Sequence, residues 1–155
     1  MFWGCITAEG PGYGSNILEG NVNASAYVEI LESNLLDTLD YYGMTAQEVH
    51  FQQDKAPAHT SSTFFAWFHG HGFSKDDVLD WPAQSPDLNP IEHVWAYIKR
   101  QLEAYPTRPT SKDDLAERLD KEWNKLTKED CLRYIDSMPK RIKAVIAKKG
   151  GPTSF

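Results

Sequence analysis

Two stretches decide how this chain folds: FQQDKAPAHT at residues 51–60 and DWPAQSPDLNPIEHVW at residues 80–95. The first continues a weakly alternating strand over residues 48–53 that ends in an acid, Asp54, and a break at Ala56-Pro57. The second continues a short strand, Val78-Leu79-Asp80-Trp81, into a proline-punctuated loop and a helix whose first turn carries Glu92. Asn89 suits the cap of that helix, Pro90 its first position, and Glu92 its third. Asp54 and Glu92 are separated by 37 residues, room for one helix and one returning strand. His59-Thr60 opens that helix, which runs to about Gly70 with Phe64, Phe65, Trp67 and Phe68 on its apolar face. Strand, helix, strand in this order implies a crossover connection and parallel pairing.

Working outward toward the N-terminus, Asn23 caps a helix over residues 24–42. Tyr27, Ile30, Leu31, Leu35, Leu39 and Tyr42 recur at three- and four-residue steps along it, and Gly43 stops it. This stripe reads as packing rather than chemistry. Before it, residues 2–8 and 13–19 read as two strands joined by the turn Glu9-Gly10-Pro11-Gly12. Toward the C-terminus, Ile91, Val94, Trp95, Ile98 and Leu102 form one buried face, which leaves Glu92 beside that face. Residues 105–109 are a linker. A helix from Thr110 or Ser111 carries Leu115, Leu119, Trp123 and Leu126 in register, and Thr127 marks a second capping signal. Pro139 starts a last, basic helix that ends before Gly150-Gly151.

The composition is that of an ordinary globular domain: 41% hydrophobic and 25% charged residues over 155 positions, enough length for a core. No apolar run approaches the roughly 20 residues needed to cross a bilayer, and the first ten residues lack the basic region of a signal peptide. The two cysteines, Cys5 and Cys131, have neither disulfide-framework nor zinc spacing and read as small buried hydrophobes in a reducing compartment. Charge is uneven. Residues 1–80 hold 2 basic and 11 acidic side chains, while residues 81–155 hold 14 basic and 11 acidic. The basic end can meet phosphates, or it can be a set of solvated helix faces with mixed charge.

QQD followed by APAHT, then DWPAQSPDLNPIEHVW, resembles the catalytic signatures of the Tc/mariner superfamily of DDE-type DNA transposases. The strand FWGCI at residues 2–6 and the end SMPKRIKAVIAKKGG resemble that family too, so the likeness spans nearly the whole chain. It implies an α/β, ribonuclease H-like fold with C-terminal helices. Residues 1–104 would be a partial endonuclease domain, and residues 105–155 a helical extension packed on it. It implies an acid triad in which Asp54 matches the second member and Glu92 the third. The first lies, in the family, on a strand before the one that residues 2–6 resemble, so the chain is expected to lack that strand and its acid. Two acids of three imply weak metal binding, no cleavage by this polypeptide alone, and an exposed strand edge open to self-association. Lys55 stands where the family usually has asparagine, and a cation beside a metal ligand competes with the ion.

The resemblance further implies Mg²⁺ or Mn²⁺ as cofactor, DNA (transposon ends and target) as partner, a nuclear location, and no membrane association. Phosphodiester cleavage needs an activated water and a stabilised leaving oxygen, which two hard cations held by carboxylates supply. His59, Lys140, Arg141 and Lys143 are candidate DNA contacts. Each residue has a second reading on its own pattern. Glu92 with Asn89 forms a capping box, Asp54 is a turn acid, His59 stabilises the turn after Asp54, and His93 is a helix-face residue. Asp87 and Asp80 read as loop-stabilising acids. Two functional alternatives accompany the enzyme reading: a non-enzymatic nucleic-acid-binding module and a transposon relic.

Overall fold

The computed structural model describes residues 1–16, 20–79, 82 and 85–153. The chain forms two compact units, residues 1–18 with 85–155, and residues 19–84.

The first unit opens with a hairpin of β1 (Phe2–Thr7) and β2 (Gly10–Asn16), paired antiparallel from Phe2 opposite Asn16 to Thr7 opposite Gly10, with an irregularity between Gly4 and Ile6. The turn is tighter than the sequence suggests. Thr7 Oγ1 accepts from the backbone N–H groups of Glu9 (3.0 Å) and Gly10 (3.2 Å), so the chain reverses over Ala8-Glu9 and β2 begins at Gly10. The rest of the expected second strand, residues 17–19, lies outside the described residues.

Among the described residues, four α-helices complete this unit: α4 (Ile91–Glu103), α5 (Lys112–Trp123), α6 (Lys128–Ile135) and α7 (Met138–Ala147). Ser111 caps α5 by accepting from Asp114 N, and Thr127 with Asp130 closes a reciprocal box at α6. Val94, Ile98, Trp123 and Leu126 form the buried cluster, with Phe2, Ile6, Ile91, Trp95 and Leu102 packed against it. Trp123 joins helix to hairpin, because its indole N–H donates to Gly12 O at 2.9 Å. Leu115, expected in the same stripe, is exposed. Cys131 is fully buried, and burial pushes its thiol up to about 11; Cys5 is half-buried.

The second unit begins with a helical run capped by Asn23, whose side chain accepts from Ala26 N at 2.9 Å. The run is α1 (Ala24–Ile30), a π-helical stretch Leu31–Leu35, and α2 (Leu36–Tyr42), closed by Gly43 at φ 63°. The buried residues Tyr27, Leu31, Leu35 and Leu39 are spaced by four throughout. An α-helix turns 3.6 residues at a time, so such a row drifts around it; a wider π turn takes up the drift and keeps the row on one face. A short 3₁₀ turn covers Ala46–Glu48. Then comes α3 (Ser62–Gly70), capped by Ser61 rather than by His59 or Thr60. Phe64 and Phe68 of α3 are fully buried, with Phe73 beside them.

The strand expected over residues 48–53 does not form as a strand. It is reduced to a single parallel bridge, Phe51 to Val78, in which Phe51 N donates to Asp77 O (2.6 Å) and Leu79 N to Phe51 O (3.1 Å). The parallel direction agrees with the crossover inferred from sequence. Residues 46–48 are taken by the 3₁₀ turn, whose capping box of Thr45 and Glu48 holds them out of an extended conformation. Asp80 and Trp81 of the returning strand lie outside the described residues.

Candidate active site

Asp54 sits three residues beyond the bridge. Phe51 is anchored there by the aromatic core of α3, with its ring centroid 5.9 Å from that of Phe68 and 6.5 Å from that of Phe64. The chain then turns over residues 57–60, bringing His59 back toward Asp54. His59 Nδ1 lies 2.6 Å from Asp54 Oδ1. An ionised carboxylate only accepts, so the proton of this contact is on Nδ1. The same Oδ1 accepts from Ala56 N at 3.0 Å. Among the described residues, the other oxygen, Oδ2, receives no hydrogen bond. Asp54 is therefore the turn acid its pattern allows, with one oxygen to spare. One oxygen closes a turn, and the other is free on a side chain that is 67% exposed.

His59 is itself held. Its ring stacks on Tyr27 at 4.1 Å, and its carbonyl accepts from Gln53 Nε2 at 3.0 Å. Tyr27, 2% exposed, donates its hydroxyl to Gln53 Oε1 at 2.6 Å. The apolar stripe of the first helix suggests packing alone. Tyr27 instead begins a chain of contacts, through Gln53 and His59, that ends on the Asp54 carboxylate. Sequence offered one signal for this: a tyrosine, which needs a polar partner when buried, at the start of a mostly aliphatic stripe.

Asp54 borders an open cleft of about 600 Å³, also lined by Lys55, His59, Phe65, Lys75 and Leu79. Two lysines and an aromatic ring beside a free carboxylate oxygen make a surface that can receive an anion next to a hard oxygen donor.

Glu92 lies in the other unit, exposed, at the second position of α4. Pro90, rather than the expected Asn89, occupies the cap position, and Val94 and Ile98 mark the buried side of the helix. Glu92 thus projects beside the buried face, as its spacing suggested. His93 stacks on Tyr134 at 5.8 Å, and its pKa is lowered by burial first and then by Arg141 and Arg100. It is a packed helix-face residue. Asp87 accepts from the Thr153 hydroxyl at 2.8 Å, which holds its carboxyl below the ordinary value, so it is a loop-stabilising acid.

Of the basic residues expected to face DNA, Lys140 and Lys143 are exposed on α7. Arg141 is not: it is 1% exposed, and its guanidinium donates to Asp87 O (2.7 Å) and Ser137 Oγ (2.7 Å). Helical spacing explains the difference, because positions 140 and 143 are rotated by about 100° and about 160° from the inward-facing position 141. Among the described residues, no group of three or more His, Cys, Asp or Glu side chains is placed to hold a metal ion. Asp54 Oδ2 and Glu92 are nevertheless exposed carboxylate donors, the ligand type that suits Mg²⁺ or Mn²⁺.

Residues 4–116 match the family model described as DDE superfamily endonuclease. The chain belongs to that family. Its curated relatives place it in the Tc/mariner group. It is 34% identical over 155 residues to the transposable element Tcb1 transposase of Caenorhabditis briggsae, covering 100% of this chain and 54% of that one. It is 35% identical over 159 residues to the transposable element Tc1 transposase of Caenorhabditis elegans, again 100% and 54%. The chain spans about half the length of these relatives. Among solved structures it is similar to the Mos1 transposase catalytic domain with raltegravir and Mg, at TM-score 0.83 and 24% identity over 99% of this chain and 76% of that one. It is also similar to the Mos1 mariner paired end complex with Mn, at TM-score 0.84 and 25% identity over 99% and 44%. The expected ribonuclease H-like α/β fold is the fold of this DDE-family chain. Among its described residues, no helix is long and apolar enough to cross a membrane.

Proposed function

We propose that this chain carries two of the three carboxylates with which a Tc/mariner transposase cleaves DNA and joins strands, Asp54 and Glu92. The observation that carries the reading is the division of labour on Asp54. Oδ1 is occupied by Ala56 N and His59 Nδ1, which fixes the carboxylate plane, while Oδ2 accepts no hydrogen bond on an exposed side chain that lines a cleft with Lys55 and Lys75. A turn acid with no further task does not need a histidine clamped by Tyr27 and Gln53 behind it.

Asp54 and Glu92 would hold Mg²⁺ or Mn²⁺, which when bound supplies an activated water and a counter-charge for the leaving oxygen. His59 orients Asp54 through Oδ1 and lines the same cleft, so it combines positioning with a candidate DNA contact. Lys55 and Lys75 face the DNA phosphates at the cleft. Lys140 and Lys143 offer further phosphate contacts from α7, as exposed cations that release counterions on binding. Transposon ends and target DNA are the substrates, and the nucleus is the place of action. The similar solved structures are of a transposase in complexes with transposon ends and with Mg or Mn, which supports this reading.

The test is paramagnetic broadening by Mn²⁺ on the isotopically labelled chain. Substoichiometric Mn²⁺ is expected to broaden Asp54 and Glu92 selectively, and Asp54→Asn to abolish the effect at residue 54 with the fold intact. Uniform broadening of all exposed carboxylates would sink the proposal.

A further inference from the structure

The loop that delivers Glu92 is short and tightly closed. Leu88 N donates to Ser85 O (3.2 Å) and Asn89 N to Pro86 O (3.0 Å), forming a 3₁₀ turn over Pro86–Leu88. Glu92 N then donates to Asn89 O at 3.2 Å, and α4 is under way. Only Asn89 and Pro90 separate this turn from the helix start, and the proline ring fixes its own φ. A displacement of Asp87 therefore passes directly into the first turn of α4, and so to the Glu92 carboxylate.

Asp87 is gripped twice, by residues far along the chain. Arg141 Nη1 donates to the Asp87 carbonyl at 2.7 Å. Thr153 donates to Asp87 Oδ2 through both its backbone N–H (3.1 Å) and its hydroxyl (2.8 Å). Arg141 is anchored from behind, since its Nε donates to Ser137 Oγ at 2.7 Å, one turn earlier on the same side of α7. Burying a guanidinium to 1% exposure is costly unless its donors are used. Here one donor is spent on the main chain of a loop and another on a hydroxyl of its own helix start. Leu88, the residue after the gripped one, is itself buried, so the turn is held from its apolar side as well.

We propose that Arg141 and Thr153 are positioning residues for Glu92: the C-terminal helix and the segment after it latch the Pro86–Leu88 turn and so fix where the acid projects. This rests on Glu92 being a metal ligand, as proposed above. It makes residues 138–153 part of the acid site, and it reserves any DNA contact from α7 to its exposed lysines.

The test uses Mn²⁺ as probe on the labelled full chain, comparing wild type with Thr153→Val, Arg141→Met and Arg141→Lys. Thr153→Val and Arg141→Met are expected to require several-fold more Mn²⁺ for the same broadening at Glu92 and to speed amide exchange at residues 88–93, with exchange in α3 as in wild type. Arg141→Lys keeps a cationic donor and is expected to recover part of the response. A role in general stability would not single out Glu92. Equal broadening at Glu92 in all four proteins overturns the latch. If Mn²⁺ broadens Asp54 but not Glu92 in wild type, the ligand reading of Glu92 fails instead. Amide exchange at residues 88–93 then decides the latch: faster exchange in Thr153→Val supports it, and unchanged exchange refutes it. Should Arg141→Met not fold, Thr153→Val carries the comparison.

Discussion

Gly4→Ala tests how the hairpin is joined to the helices that carry Glu92. Gly4 needs no unusual backbone angle; what it supplies is space. A Cβ placed there would lie 2.5, 2.7 and 3.0 Å from three ring carbons of Trp123. Carbon atoms settle about 3.5–4.0 Å apart, so roughly an ångström of overlap must be relieved. The ring cannot swing away cheaply. Its N–H is committed to Gly12 O at 2.9 Å, and its faces and edges meet Phe2 (5.3 Å) and Trp95 (5.4 Å). The strand must therefore lift from α5. Overpacking of this kind costs about 1–3 kcal/mol. The loss of glycine's freedom in the unfolded chain returns about 0.4–1 kcal/mol. The net expectation is a destabilisation of about 1–2 kcal/mol, or a fall in Tm of about 2–8 °C at this chain length. Thermal unfolding followed by circular dichroism and tryptophan fluorescence measures it. The decisive comparison is the same substitution in a Trp123→Leu background, where the ring is gone and the cost should largely vanish. An unchanged Tm for Gly4→Ala, or an equal cost in both backgrounds, would refute the reasoning. Gly70→Ala, at a helix end with open space around it, is the control and should be neutral or slightly stabilising.

Two further outcomes are expected. Tyr27→Phe keeps the stack on His59 but removes the hydroxyl donated to Gln53, at a cost of about 0.5–1.5 kcal/mol in urea unfolding; no loss at all would detach α1 from the Asp54 network. Glu122 is buried, which by itself opposes ionisation, yet hydrogen bonds from Lys125 (2.7 Å) and Tyr105 (2.7 Å) outweigh burial and lower its pKa from 4.5. A lowered folded pKa means that its contribution is fully present above pH 4.5 and is lost as pH falls through the folded value. Glu122→Gln should therefore flatten the acid limb of the stability profile below pH 4.5, and an unchanged slope in an acid denaturation series would count against that assignment.

What the sequence determined by itself is local. Asn23, Ser111 and Thr127 cap their helices because each bond spans three residues and needs nothing from elsewhere. Gly43 ends its helix for the same reason. The turn after Asp54 forms where the Ala56-Pro57 break puts it, whereas α4 starts one residue later than its signature suggests, with Pro90 rather than Asn89 at the cap and Glu92 second rather than third. Tertiary structure decided everything that depends on a distant partner. Residues 48–53 carry strand-like alternation, but an extended segment is stabilised only by a neighbour, and a local capping box took its first residues while Val78 paired with Phe51 alone. Leu115 has helical register but no surface to cover it. Tyr27 and Gln53 are 26 residues apart, and Arg141 and Asp87 are 54 apart. Neither separation leaves a periodic trace in the sequence, so the residues that hold the two acids in place emerge only when the chain has folded and brought their donors within hydrogen-bond reach.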